Sequence, residues 1–186
     1  LTAKNEFLTF NDKDLGLDLL LQINYSRQGY KAPAAGDKRP ACPLCIENIG
    51  APGKELLRVF EFNLAGTPYF AHLTPFPLHP GHFVMNSRVH EPMRIGEPAF
   101  RETAEFLSKA PGWLAASNSD IEWAGASVLG HHHCQLFRDL RLPLEEARPA
   151  RTLTSDDLRI EYLNWPTPVA RISGDEFVLL IEGIDE

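Results

Sequence analysis

No stretch of this chain approaches the roughly 20 consecutive apolar residues that a membrane-spanning helix needs. The greasiest early segment, Leu15 to Ile23, is bounded or interrupted by Asp14, Asp18 and Gln22. Positive charge is scarce as well: 18 Lys and Arg stand against 25 Asp and Glu, a formal charge of −7. That balance provides no general attraction to nucleic acid or to anionic lipid, so a phosphate ligand must find its positive partners locally. Cysteine is rare, with three residues, and no signal-peptide pattern opens the chain. Three thiols without an export signal fit a reducing compartment, the cytoplasm by default, with metal binding or packing ahead of disulfides. There is no internal repeat and no low-complexity tract. The chain starts at Leu1 without an initiator Met and stops at Glu186 just after a strand-like run, so it reads as a piece of a longer protein.

What is present suffices for a core. The 186 residues are 44% hydrophobic, enough for one domain or one and a half. Leu15, Leu19 and Ile23 recur at helical spacing and Gly29 is a plausible stop, so residues 1–30 are expected to be mostly helical. Residues 31–41 are a loop by composition. Strands are expected over Leu57–Leu64, Tyr69–Thr74 and His82–Ser87, separated by Gly/Pro turns. A helix is expected over Pro98–Ala110, stopped by Pro111-Gly112. Strands follow at Trp113–Ser117 and Gly125–Phe137, the second broken near Gly130. A Pro-rich, charged link from Arg138 to Asp157 leads to strands Ile160–Trp165 and Val169–Ile172 and a last apolar run, Phe177–Ile181. Runs of strands with separate helices predict an α+β fold with a mainly antiparallel sheet and flanking helices. The expected division is a helical lead-in and loop over 1–40, a core over 41–150, and C-terminal strands over 151–186 that begin a second half.

The chemistry concentrates in Gly130-His131-His132-His133-Cys134-Gln135-Leu136-Phe137. In an extended strand, His131, His133 and Gln135 share one face, and His132, Cys134 and Leu136 the other. Two imidazoles and an amide about 6–7 Å apart along one edge suit a phosphate ester. One imidazole can attack phosphorus or bind a metal, and the amide can donate to a phosphate oxygen. Cys134 is expected in the core, and His132 has no chemical role in this reading.

All seven histidines lie between positions 72 and 133. Upstream, Cys42-Pro43-Leu44-Cys45 is half of a tetrahedral zinc site, which histidines could complete. Alone, the motif equally describes a redox pair or two buried small residues; the histidine cluster favours zinc. His90 stands where a strand ends, a good place for a third ligand or simply a solvated loop histidine. His72, His79 and His82 lie in a Pro-rich stretch and read as structural or surface residues, His82 being the one to watch. Small residues around Gly125 and Ser127 either let backbone amides approach an anion or pack a tight strand.

Asn118-Ser119-Asp120, the Gly125-Ala126-Ser127 run and His131-x-His133-x-Gln135 together resemble the active-site segment of galactose-1-phosphate uridylyltransferases of the second type. The stretch from Asn86 to Ile95, with Glu91-Pro92-Met93-Arg94-Ile95, resembles the same family's matching segment. Cys42-x-x-Cys45 and Tyr162 to Val169 have counterparts too. The wider relationship is to the histidine-triad superfamily, whose members attack or transfer nucleoside phosphates. The resemblance implies that His133 is the nucleophile, carrying a covalent uridylyl group in a ping-pong cycle, and that Gln135 hydrogen-bonds the phosphate in transfer. It implies a Zn2+ ion held by Cys42, Cys45, His90 and His131, and substrate contacts from Asn118, Gly125 and Ser127. The implied substrates are a nucleotide sugar and a sugar phosphate, with UMP as the transferred group, without nucleic acid or membrane; a homodimer is the expected assembly. The chain is far shorter than the two-repeat enzymes of that family. Transfer to phosphate or water by the same histidine, and a nucleotide-binding module without turnover, are the alternatives.

Overall fold

The opening of the chain is a β-hairpin, not the helix expected over residues 1–30. In the computed structural model, which describes residues 5–25, 42–122, 128–174 and 178–182, β1 (Glu6–Asp12) pairs antiparallel with β2 (Leu17–Ile23). The reason lies in the spacing. Leu15, Leu19 and Ile23 recur every four residues, which suits a helix but is also two full strand periods. Asp12 settles the turn: its Oδ1 accepts the backbone N–H of Asp14 and of Leu15, each at 3.0 Å, and Gly16 takes a left-handed φ of 67°. An Asp side chain bonded to the backbone two residues on, followed by a left-handed glycine, is turn chemistry. The loop expected over 31–41 lies outside the described residues.

The chain separates into two units, Asn24–Leu140 forming the body of one and Asn5–Ile23 with Arg141–Glu186 the other. The first unit carries five strands: β3 (Val59–Leu64), β4 (Thr67–Leu73), β5 (His82–Ser87), β6 (Trp113–Ala116) and β7 (His133–Arg138). They pair antiparallel throughout in the order β3-β4-β5-β7-β6. Four of these strands were expected within two residues of their ends. The fifth, expected over Gly125–Phe137, begins only at His133. Before it, Met93 N–H bonds the Leu129 carbonyl (2.8 Å) and His132 N–H bonds the Glu91 carbonyl (2.7 Å), outside any strand; residues 123–127 lie outside the described residues.

Helix α1 (Glu97–Lys109) starts with Pro98 in its first turn, where a missing N–H costs nothing. Ion pairs Arg101–Glu97 and Lys109–Glu105, both one helical turn apart, line its exposed side. Gly112 ends the connection to β6 with a left-handed φ of 81°. The helix covers one sheet face, its Phe106 packing 5.9 Å from Phe62 and 5.8 Å from Trp113 between ring centroids. Beneath it Leu64, Tyr69, Met85, Cys134 and Leu136 form the buried core. Because Met85 pairs with Cys134 on this face, Asn86 and its partner His133, and Val84 and its partner Gln135, point to the opposite one.

The second unit contains the hairpin and a four-stranded antiparallel sheet in the order β11-β10-β9-β8. Its strands are β8 (Pro149–Thr154), β9 (Arg159–Leu163), β10 (Val169–Ser173) and β11 (Val178–Glu182). The first of these falls inside the link expected over 138–157. Every residue of β8 is exposed, so no apolar alternation marks it, and Pro149 sits at its first position, which an edge strand tolerates. Ala147, Leu163 and Val169 form the core here, with Leu17, Leu144, Trp165 and Leu180 against them. Buried Glu161 is clamped by Arg171 Nε (2.7 Å) and Arg159 Nη2 (2.5 Å), and Arg171 foremost holds its carboxyl below the usual range. The architecture is α+β and mainly antiparallel, as expected, with α1 the one α-helix among the described residues where two helical stretches were expected. No described helix is long and apolar enough to cross a membrane.

Candidate active site and metal centre

The Cys42–Cys45 turn brings both thiols to one point. Cys45 N–H reaches the Cys42 carbonyl (3.4 Å), and buried Asn48 donates its side-chain amide to the Cys42 carbonyl (2.5 Å) and, more weakly, to that of Cys45 (3.4 Å). Asn48 was not singled out by the sequence, yet it ties the turn to the 3-10 turn that follows. Into this point come His90, just beyond the end of β5, and His131, just before β7. His131 Nδ1 lies 3.3 Å from Cys42 Sγ and 3.5 Å from Cys45 Sγ, and His90 Nδ1 lies 3.2 Å from Cys45 Sγ. One donor atom from each of the four falls within 4.8 Å of every other.

This donor set fits a metal ion. With metal–sulfur distances of about 2.3 Å and metal–nitrogen of about 2.0–2.1 Å, neighbouring ligands of a tetrahedral centre stand about 3.3–3.8 Å apart. The sulfur–nitrogen separations here, 3.2–3.5 Å, fall at the short end of that edge or just below it. The ring of His131 is also aimed: its Nε2 lies 2.9 Å from the Ser87 carbonyl. A carbonyl only accepts, so Nε2 carries the proton and Nδ1 presents its lone pair to the thiols, as an oriented metal ligand does. Burial, then the neighbouring Cys42, pushes the Cys45 thiol up to about 11, so a cation must displace a proton to bind there. His131 is fully buried, whereas His90 sits on the exposed side.

His133 opens β7 on the face away from α1. Its Nδ1 lies 2.8 Å from the His131 carbonyl, which again fixes the proton on that nitrogen and leaves the lone pair on Nε2. Burial is the main cause that holds the ring below the usual histidine range, which favours its neutral form. Gln135 lies two residues on, on the same face. His131 does not share that face as a strand residue, because β7 begins after it; its ring belongs to the cysteine cluster instead. His132 points the other way, to Tyr69 and the backbone N–H of Arg94 (3.4 Å from its Nδ1). Burial, then Arg94, drives His132 down to about 4, so it stays a neutral acceptor.

One contact gives His82 a role that the sequence only flagged. The Leu78 N–H points at His82 Nδ1 (3.0 Å), so that nitrogen accepts and Nε2 must donate. His82 Nε2 meets Gln135 Oε1 at 2.5 Å, so the oxygen end of the amide is turned toward His82 and the NH2 end away from it. The His82 ring stacks on Phe137 at 4.4 Å. Gly81 lets β5 start this close to β7: a Cβ there would stand 2.9 Å from both Cβ and the carbonyl oxygen of Arg138. The readable signal was the register, since His82, Val84 and Asn86 alternate on the strand beside β7.

The expected substrate residues are less gathered. Asn118 is exposed just past the end of β6, whose last residue Ala116 pairs with Gln135. It therefore leaves the sheet at the end where His133 stands. Gly125 and Ser127 lie outside the described residues. His72 packs beside Phe70 with its Nδ1 near the Leu73 carbonyl, and burial keeps it below the usual range, in line with a structural role.

The first unit is thus a strand-rich α+β body in which a histidine opens a central strand beside a Cys/His cluster. The fold is shared with yeast Ap4A phosphorylase in complex with AMP, at a TM-score of 0.50 and 14% identity over 96% of this chain and 71% of that one. By sequence the chain is similar to galactose-1-phosphate uridylyltransferases. It is 29% identical to that of Staphylococcus carnosus over 90% of this chain and 37% of the relative. It is 28% identical to that of Bacillus subtilis over 94% and 36%. For Caldanaerobacter subterraneus the figures are 30%, 78% and 29%. The chain thus spans a little over a third of the first two relatives' length. No protein-family model matches it.

Proposed function

We propose that this chain is the nucleotidyl-transferring part of a uridylyltransferase-like enzyme, moving a nucleoside monophosphate, UMP foremost, between a nucleotide sugar and a hexose 1-phosphate. The observation that carries the reading is His133: buried, with Nδ1 tied to the His131 carbonyl at 2.8 Å and its lone pair on Nε2.

The chemistry follows from that geometry. Nε2 attacks the α-phosphorus of the nucleotide sugar, a P–N bond forms, and the P–O bond to the sugar phosphate breaks, its electrons leaving with that phosphate. Positive charge appears on the ring and is stabilised by the Nδ1–H bond to the His131 carbonyl. Negative charge on the non-bridging oxygens meets the Gln135 NH2, which His82 turns outward from itself. A second sugar phosphate then attacks the same phosphorus and restores His133. We assign Asn118, Gly125 and Ser127 to substrate binding, and Cys42, Cys45, His90 and His131 to one Zn2+ ion. That ion would supply a structural cross-link between the Cys42–Cys45 turn and the chain entering β7, and His131 passes this order to His133 through its carbonyl. Four ligands that include two thiols close such a centre, which favours a structural role. The core of 41–150 carries the chemistry in this reading, in a cytoplasmic protein.

The test is covalent trapping. Protein incubated with UDP-glucose labelled in the α-phosphate should gain an acid-labile, alkali-stable adduct, and His133→Ala should fold yet gain none. Addition of galactose 1-phosphate, inorganic phosphate or buffer alone then shows which acceptor discharges the adduct. Labelling that persists in His133→Ala and disappears in His131→Ala would reverse the two assignments.

A further inference from the structure

Asn86 is a polar residue opposite His133 that the reading above leaves without work. It sits on β5 directly opposite His133 on β7, and it is fully buried. Both its Oδ1 and its Nδ2 lack any hydrogen-bond partner among the described residues. Directly opposite residues of an antiparallel pair share a face, with Cβ atoms about 4.5–5.5 Å apart. Asn86 therefore stands beside the nucleophile, on the face away from the core formed by Met85 and Cys134. Apart from His133, with which it makes no hydrogen bond, its strand neighbours on this face are apolar: its partner on β4 is Phe70, also fully buried, and Val84 precedes it.

A buried amide with neither end paired is costly to keep, and an apolar residue of the same shape would remove that cost. Its placement directly opposite His133 supplies a reason to retain it. The chemistry of the amide narrows the occupant. Asn offers two donors and an acceptor. A phosphoryl oxygen only accepts, so it satisfies Nδ2 and leaves Oδ1 bare. A hydroxyl both donates and accepts. The hydroxyls nearest the reacting phosphorus are those of the sugar that carries the phosphate.

We propose that Asn86 is a sugar-hydroxyl receptor of the site, its amide completed by a hydroxyl of the sugar attached to the reacting phosphate. This rests on the nucleotidyl-transfer reading and adds the residue that holds the sugar in line with His133. Two sugars carry the required hydroxyl, the ribose of the nucleotide and the hexose of the sugar phosphate, and the experiment separates them.

Binding is measured by calorimetry on the parent, on Asn86→Leu and on the smaller Asn86→Ala, alongside melting curves. The ligands are UMP against 2′-deoxy-UMP, and glucose 1-phosphate against 2-deoxyglucose 1-phosphate. In the parent, one deoxy ligand should bind about 5- to 150-fold more weakly than its hydroxyl form, the range for an unmade hydrogen bond to a buried group. The variants should bind the hydroxyl ligand weakly and no longer distinguish it from the deoxy form, while Asn86→Leu melts at or above the parent temperature. Discrimination in the UMP pair assigns the ribose; in the other pair, the hexose. A parent that binds both pairs without discrimination, or variants that discriminate as the parent does, overturns the receptor role and leaves the transfer reading standing. So does a large loss of stability in both variants with ligand affinity unchanged, which would mean that the amide is satisfied inside the fold. A parent that binds none of the four ligands overturns both.

Discussion

Replacing His82 with phenylalanine tests whether Gln135 is aimed or merely present. The ring stays, and so does the stack on Phe137 at 4.4 Å, but the Nε2–H that meets Gln135 Oε1 at 2.5 Å is gone. The orphaned oxygen then seeks another donor, and the amide leaves its productive orientation. Leaving a buried polar group unpaired costs about 1–3 kcal/mol, so adduct formation should slow by about 5- to 150-fold. The ceiling is the loss of the donor itself, about 100- to 1,000-fold, which is what Gln135→Ala should show. Stability also suffers, since the Leu78 N–H loses its His82 Nδ1 acceptor. At about 2–4 °C per kcal/mol for a chain of this size, a drop of several degrees is expected. The decisive assay is a double-substitution cycle read by rapid-quench labelling at a temperature where every variant is folded. If His82 acts through Gln135, the double variant His82→Phe/Gln135→Ala labels no more slowly than Gln135→Ala alone. His82→Gln, whose amide can still donate, should recover part of the rate. Multiplicative effects in the cycle, or a His82→Phe rate within threefold of the parent, would refute the reasoning.

Protein purified without chelator should contain about one zinc per chain by elemental analysis, and Cys45→Ser should lose it. Metal removal should lower the melting temperature far more than the 0.5–3 kcal/mol of an ordinary substitution would, because structural zinc contributes about 10–16 kcal/mol in isolated sites; an unchanged melting curve on chelation would end the assignment. A third expectation concerns Glu102 on α1, buried against Tyr69 Oη (2.6 Å) and Arg94 Nη2 (2.9 Å). Burial alone would raise its carboxyl, but hydrogen bonds from Tyr69, Thr67 and Arg94 outweigh it and hold the group below the ordinary range. A depressed folded value means stability that is present above the unfolded value near 4.5 and lost as pH falls through the folded one. Glu102→Gln should therefore be less stable by roughly 1–3 kcal/mol at pH 7, with the difference shrinking below about pH 4.5; parallel urea-unfolding profiles for the two proteins across that range would contradict this.

The fold was legible where one period dominated. Over His82–Ser87 and Trp113–Ala116 short apolar runs lie between turn residues, and the strands fall where expected. Residues 17–23 misled because a four-residue repeat satisfies both periods, and the arbiter, an Asp side chain bonded to its own backbone, acts before the repeat rather than within it. Strand β8 had no local signal at all. All six of its side chains are exposed, and it exists because β9 presents an open edge to it, a fact that lies outside its own residues. Propensity and pattern report on how a segment meets its surroundings, so a segment exposed on both faces is nearly silent.

The candidate site divides in the same physical way. Cys42, Cys45, His90 and His131 could be read because thiols and imidazoles carry their chemistry in their identity, and a two-residue gap suffices to converge a pair. The alternation across His133 and Gln135 could be read because a strand imposes it. What aims those groups could not. The Ser87 and His131 carbonyls that fix two imidazole tautomers are backbone atoms, present at every position, and nothing in residue type marks them. Asn48, His82 and Asn86 act across 6, 53 and 47 residues of chain or between neighbouring strands, where only the register decides who meets whom. The register itself follows from burial: Met85 must face Cys134 in the core, so His82 and Asn86, an odd number of residues away, must face the side of His133 and Gln135. A one-residue slip of β5 against β7 would bury His82 and Asn86 under α1 and turn Met85 to the site. The apolar core under α1 thus selects which polar residues stand beside His133.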